Sequence, residues 1–444
     1  MILTILGAAG VRTPLIVREI LRRQKNLHIQ ELRLMDIDEH HLALIQAIIH
    51  SDPTLKPSSL RMIFTTDTTA ALKGADYVIT TFRVGQVEAR VIDETVAIES
   101  GCIGQETTGA GGFAMGLRTI PVMRETIHIM KEVCPDAWLI NFANPSGMLT
   151  EAIRNHLDYK KAVGICDGPS SMIQYIARHL HVPEKMLHGH YFGLNHLGWF
   201  SSIDIMGKDI QPELLRKLSQ KPEQSPLSVS LDIVLQLGMI PNEYLAYYYH
   251  RSRLSLMQQR SPLTRGQEVL QMNTALFTEI DRLVSSADHT QLFTTYQRYT
   301  QLRNQAHQRK DSASDQGMEN GYAELALDLL EALEGNKRTS LILNIPNDGA
   351  IPGMSSTDIV EVTTQILNGE LIPEVMQPIP LHCLALLQQI KSFEKLTIEA
   401  ALEGSYDKAL FALTIHPLVG DHDLAKRILD GYVLRHGPYF PLLR

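Results

Sequence analysis

The sequence predicts an α/β protein in which a doubly wound parallel sheet is followed by an α+β half. Three observations carry that expectation. Apolar runs of strand length alternate with helical stretches through the first 165 residues, the order that wraps helices around a parallel sheet. The first run ends at once in Gly7-Ala-Ala-Gly10, and the second ends in Asp36. After Trp199 the alternation stops, and an alternating strand, polar helices and long amphipathic helices take over.

Taken in order, residues 2–6 read as a strand, and Pro14 to Arg23 as the helix that follows the glycine turn. The run Leu32-Arg-Leu-Met35 closes the unit with Asp36-Ile-Asp38. Strand, glycine turn, helix, strand and acid form the layout of a dinucleotide-binding βαβ unit of Rossmann type. Glycines let the backbone approach a pyrophosphate at the helix N-terminus, and the acid receives the ribose hydroxyls. Gly7, Ala8, Gly10 and Asp36 are therefore the expected cofactor contacts, and an acid at that strand end favours NAD over NADP. Further strands are expected at Ile63–Thr65, Tyr77–Thr81, Ala137–Asn141 and Lys161–Ile165. Helices are expected at Thr68–Leu72, near 115–134 and near 146–157. Ligand sites in such sheets lie at the carboxyl ends of the strands. The polar clusters Thr80–Arg90, Asn141–Gly147 and Cys166–Pro169 all follow strands, so they should converge on one cleft. Gly101 to Gly112 holds five glycines and reads as a flexible polar loop with free backbone donors.

In the second half, Ser201–Met206 alternates like an antiparallel strand, and a polar stretch runs from Lys208 to Pro226. Ile240 to Tyr249 carries four tyrosines, residues 250–320 read as polar and helical, and a helix starts at Gly321. Strands at Ser340–Ile345 and near Asp358–Val362, then long helices after Pro380, complete the chain.

A length of 444 residues exceeds a typical single core, so two domains are expected, 1–165 and 166–444. The formal charge of −8 excludes nucleic acid as the main partner, since phosphate binding needs concentrated Lys and Arg. No apolar run reaches the roughly 20 residues of a bilayer span, and the N-terminus reads as a strand rather than a leader. Four scattered cysteines suggest reduced thiols and a cytoplasmic protein.

The chemistry concentrates between Val163 and Trp199. Cys166 offers a soft ligand, Asp167 an acid and His196 an imidazole, all beside backbone turns. Such groups could hold a transition metal next to a proton donor.

Several ordered motifs then give a resemblance that runs over nearly the whole chain. They are Phe82-Arg-Val-Gly-Gln-Val-Glu-Ala-Arg90, Gly104-Gln-Glu-Thr-Thr-Gly109, Asn141-Phe-Ala-Asn-Pro145, Cys166-Asp-Gly-Pro169, Gly193-Leu-Asn-His196, Pro241-Asn-Glu-Tyr244 and Thr264-Arg265. On these the chain resembles glycoside hydrolase family four, the NAD- and divalent-metal-dependent glycosidases. Thr107 to Phe113 and Leu194 to Leu197 look most like the 6-phospho-β-glucosidases of that family. The resemblance implies a C-terminal domain like that of lactate dehydrogenase and the family-four glycosidases. It also implies chemistry outside the usual two-carboxylate scheme. NAD⁺ takes a hydride from sugar C3, a base removes the acidified C2 proton, the C1–O bond breaks, water adds and the hydride returns.

By the same resemblance, Cys166 and His196 match the metal ligands, usually of manganese, and Tyr244 matches the C2 base. Glu106 matches a residue thought to raise that tyrosine's basicity, and Asp167 the donor to the leaving oxygen. Arg90, Asn144 and Arg265 match substrate contacts, with Arg83 and Asn195 beside them; guanidinium suits a sugar phosphate. The expected substrate is a phosphorylated β-glucoside, and the expected assembly a homo-oligomer, dimer or tetramer. Asp167 stands where the family's 6-phospho-β-glucosidases typically carry asparagine, and aspartate is commoner in the 6-phospho-α-glucosidases. The α-linked substrate is thus the alternative. A hydroxy-acid dehydrogenase and a catalytically silent NAD-bound sugar-phosphate sensor are alternatives of other classes.

Overall fold

The structure, a computed structural model, describes residues 1–55, 60–220, 227–286, 289–308, 321–335 and 338–444. Of the polar stretch 208–226, residues 221–226 lie outside that description, as do 287–288 and 309–320 of the helical segment 250–320.

Six strands form the parallel part: β1 (Ile2–Leu6), β2 (Glu31–Met35), β3 (Arg61–Thr65), β4 (Tyr77–Thr80), β5 (Trp138–Asn141) and β6 (Ala162–Gly164). Their order in the sheet is β3-β2-β1-β4-β5-β6, the arrangement of a dinucleotide-binding fold with its crevice where the order reverses, between β1 and β4. These are the six strands expected from the apolar runs. β4 is buried at every position, as a central strand covered on both faces must be.

The remaining strands are β7 (Leu187–Leu194), β8 (Leu197–Ile205), β9 (Lys208–Asp209), β10 (Ile240–Pro241), β11 (Thr339–Pro346), β12 (Ile359–Leu367) and β13 (Glu370–Pro373). They extend the same sheet as β6-β11-β12-β7-β8-β10 through antiparallel pairs. β11 meets β6 through the single Asn344–Gly164 register pair. The strand expected at Ser201–Met206 is the second half of β8, and the one near Asp358–Val362 runs on to Leu367. Helices Leu381–Glu403, Tyr406–Ile415 and His422–His436 fill the region expected to be helical after Pro380.

One expectation fails. Residues 101–112 are not a flexible loop: 102–105 and 107–112 are buried, and helix Gly109–Val133 already begins inside the run. The glycines serve close packing. A Cβ on Gly111 would lie 2.0 Å from the Gln105 carbonyl oxygen, and one on Gly112 would lie 2.4 Å from that of Thr107. Helix Gly109–Val133 is held by a fully buried pair in which Arg118 donates to both Asp93 oxygens at 2.6 and 2.7 Å. His436 Nε2 lies 2.9 Å from the same carboxylate, so helices from both ends of the chain close on one charge.

Candidate active site

The βαβ turn is built by backbone. Gly7 adopts φ +98°, and a Cβ there would meet the Phe82 nitrogen at 2.3 Å, so only glycine allows β1 and the loop after β4 to approach. Asp36 accepts from the N–H of Ala9 at 2.9 Å and of Asp38 at 3.1 Å, which fixes its carboxylate at the mouth of the turn. Gly7, Ala9, Gly10 and Asp36 line a cavity of about 960 Å³. Ala8 was expected among these contacts, but it is fully buried and its N–H goes to the Met35 carbonyl at 2.9 Å, off the cavity wall.

The same cavity reaches Arg83, Arg90, Glu106, Asn144, His196 and Tyr244. Glu106 is held by two arginines, with Arg83 Nη2 at 2.6 Å and Arg90 Nη1 at 3.1 Å. Arg90 is itself fixed by Glu94 at 2.7 Å, and Glu94 also accepts from the Gly266 N–H at 2.6 Å. Burial raises the Glu106 carboxyl, but the charges of Arg83 and Arg90 outweigh it and hold the group at about 2. Glu106 is a fixed anion, not a proton carrier. The two arginines expected to meet a phosphate thus already share one carboxylate.

Cys166 and His196 come together as expected from different loops: Cys166 follows β6, and His196 lies in the tight β7–β8 turn at φ +63°. The Cys166 Sγ lies 3.4 Å from His196 Nε2, both groups buried. Burial pushes the imidazole down to about 3, so it is neutral and able to ligate. Burial, with Glu361 and Asp167 nearby, pushes the thiol up; a metal there would have to displace the proton. A thiol and a neutral imidazole at this separation form a donor pair that a divalent ion can bridge. Asn144 Oδ1 is buried without a hydrogen-bond partner among the described residues, an acceptor left over for a ligand.

Tyr244 stacks on His196 with ring centroids 3.9 Å apart and planes at 13°. Asn242 caps its segment by accepting from the Tyr244 N–H at 3.0 Å. Asp167 is buried and heads helix Gly168–Leu180 beside the thiol.

Two expected substrate contacts are not among the residues lining this cavity. Asn195 accepts from the Gly147 N–H at 3.3 Å and donates to Glu361 at 3.1 Å, so its amide braces the start of helix Ser146–Glu151, which follows β5. Arg265 starts helix Arg265–Ser285, contacts Glu268 at 3.0 Å and is not on the cavity wall. Conversely, sequence reading overlooked Arg12 and Arg303 on the wall and Glu361 behind the thiol. Arg12 carried a signal, a cation just past the glycine turn. Glu361 carried only a faint one, an acid alone among the β-branched residues of β12. Burial raises Glu361 to about 7 although Asn195 and Asn344 hydrogen-bond to it.

Comparison with known proteins agrees with this geometry. Residues 2–182 match the family model described as family 4 glycosyl hydrolase, and residues 191–419 that of its C-terminal domain. A probable 6-phospho-beta-glucosidase of Bacillus subtilis (strain 168) is 31% identical over 98% of this chain and 96% of its own. A 6-phospho-alpha-glucosidase from gut microorganisms, solved with NAD and Mn²⁺, superposes with TM-score 0.86 at 28% identity, covering 100% of this chain and 99% of that one. The 6-phospho-beta glucosidase of Thermotoga maritima, solved with manganese, NAD⁺ and glucose-6-phosphate, gives TM-score 0.84 at 27% identity over 100% of both chains.

Proposed function

Because the chain belongs to family 4 of the glycosyl hydrolases, we propose that it is an NAD- and divalent-metal-dependent 6-phospho-β-glucosidase. One observation carries the reading. The glycine turn with Asp36 and the His196–Tyr244 stack face a single cavity, and Cys166 touches His196 from behind. A bound dinucleotide and a phosphorylated sugar could share that space. The names and ligands of the relatives support it.

When bound, NAD⁺ would supply transient hydride removal at C3, and a divalent ion, manganese by analogy, Lewis acidity at the C2 and C3 oxygens. Gly7, Ala9, Gly10 and Asp36 would hold the dinucleotide; Cys166 and His196 would hold the metal. Tyr244, whose ring is oriented by its stack on His196, would take the C2 proton. The Glu106 anion holds Arg83 and Arg90 along the wall, where the sugar phosphate would draw on the same cations. Asp167 would protonate the leaving oxygen, and Asn195, through Gly147, would brace the substrate loop. In this reading residues 1–165 would bind the cofactor and lend Arg83, Arg90 and Asn144 to the sugar, and residues 166–444 would hold the metal and complete the substrate site. A cytoplasmic homo-oligomer suits four buried free thiols and a phosphorylated substrate. No described helix is long and apolar enough to cross a membrane.

Asp167 favours a second reading, cleavage of the α anomer, for which the structural relative with that activity is a precedent. Aryl α- and β-glucoside 6-phosphates, with their unphosphorylated forms, assayed with and without Mn²⁺ decide between them. Preference for the phosphorylated β anomer, loss on chelation and slower turnover with deuterium at C2 or C3 are expected. Preference for the α anomer installs the second reading. Metal-independent turnover without an isotope effect overturns both.

A further inference from the structure

A second cluster of metal-ligating side chains lies outside the cavity. β7 and β13 share one flank of β12: β7 pairs with Glu361 and Val362, and β13 pairs with residues 364–367. Where β7 peels away from β12, His188 and His190, two apart on β7, present their rings on one face beside Glu374, the residue after β13. His188 Nε2 lies 3.1 Å from one Glu374 oxygen, and His190 Nδ1 lies 2.9 Å from the other. The two imidazoles pack edge to face at 4.6 Å. Asp204, opposite His188 in the β7–β8 register, takes the free His190 Nε2 at 3.1 Å.

We propose that His188, His190 and Glu374 form a second metal site, one for a zinc-class divalent ion that clips β13 to β7. The donor atoms of all three lie within 4.8 Å of one another. The histidine nitrogens reach the two Glu374 oxygens separately, so a small shift of the carboxylate would bring one oxygen and both rings around an ion with ligand bonds of about 2.0 Å. Two imidazoles and a carboxylate with an open fourth position are a zinc-type set, softer than manganese prefers. The Asp204 contact is the outer carboxylate that fixes the tautomer of a ligating histidine. Rings that are partly exposed leave a path for the ion.

With no metal, a proton plays the cation's part. The hydrogen bond to Glu374, helped by Asp204, raises His190 to about 9. The charged and titratable groups facing it are Glu374, Asp204 and His188; the Gln365 amide also reaches Glu374, at 3.4 Å.

The test uses the full-length chain stripped of metal and titrated with Zn²⁺ alone, with Mn²⁺ as control. Wild type is expected to hold one more zinc per chain than His188→Gln/His190→Gln. Asp204→Asn, which keeps all three ligands, should weaken that ion about ten- to hundredfold. Glu374→Gln gives an independent comparison where the histidine variant does not fold. Co²⁺ on wild type should give visible bands of a four-coordinate nitrogen and oxygen site. Equal zinc stoichiometry in wild type and a folded variant, or no such bands, overturns the site. Neither result bears on the glycosidase reading.

Discussion

At the level of single side chains, Tyr244 has the most specific demand placed on it, because a phenol near pKa 10 is a poor base unless its anion is stabilised. Its ring lies flat on His196, so Tyr244→Phe keeps the stack and removes only the oxygen. A fall in kcat of about 10²–10⁴ is expected, with cofactor binding unchanged in a fluorescence titration. Activity within tenfold of wild type would remove Tyr244 as the base. Asp167→Asn should cost natural glucosides far more than aryl ones with good leaving groups, since only the former need a donated proton; an equal loss on both would speak against the donor role. Glu106 gives a pH expectation with a definite sign. Its carboxyl is held at about 2 in the fold, against an unfolded value near 4.3. Its ion pairs stabilise fully above that unfolded value and are lost as pH falls toward 2. The urea midpoint gap between wild type and Glu106→Gln should therefore be widest near neutrality and narrow below about pH 4.3. A gap constant down to pH 3.5 would show that the charge of Glu106 contributes no stability.

At the level of elements, the helix Gly109–Val133 organises the site because it is tightly packed on the segment that carries Glu106. Its first twelve residues are buried, the glycines seat it on the Gln105–Thr107 backbone, and Arg118 ties it to helix Gln86–Glu99. Arg118→Met leaves Asp93 buried with only His436 beside it, a loss of about 3–5 kcal/mol for a broken buried pair, measurable by chemical denaturation. A loss under about 1 kcal/mol, the scale of an exposed pair, would show that the network relaxes. The glycine run also marks what sequence could not reveal. Its composition reads as a loop, because glycine signals freedom and close approach alike, and only the carbonyl 2.0 Å from a Gly111 Cβ tells which one applies. The strands were legible because β1–β6 are apolar and short, with turn residues at their ends.

Across the whole molecule, what sequence made visible is the chemistry carried in contiguous motifs, and what it hid is the chemistry made by the sheet. Cys166 and His196 were paired by resemblance and meet at 3.4 Å. Glu361 reaches them only because β12 lies beside β7, and Asn195 faces that acid rather than the cavity. The same continuity bears on how the protein unfolds. One sheet runs from β3 to β10, but only one register pair joins β6 to β11. The two halves share one hydrophobic core instead, in which Phe113 and Leu117 are buried with Phe393 and Tyr432, and polar contacts also cross between them: Lys391 on Glu151 at 3.1 Å, the neutral His436 on Asp93 at 2.9 Å, and the part-buried Arg23 on Asp328 at 2.8 Å. Separating the halves would expose that shared apolar core to water, at roughly 25 cal/mol for each Å² uncovered. The full chain should therefore melt in one calorimetric transition, and a 1–165 fragment should not fold alone. NAD⁺ at a hundred times its dissociation constant should add about 2.7 kcal/mol to that single transition. Two transitions, with only the first shifted by NAD⁺, would mean that the halves fold independently and that the shared core does not couple them.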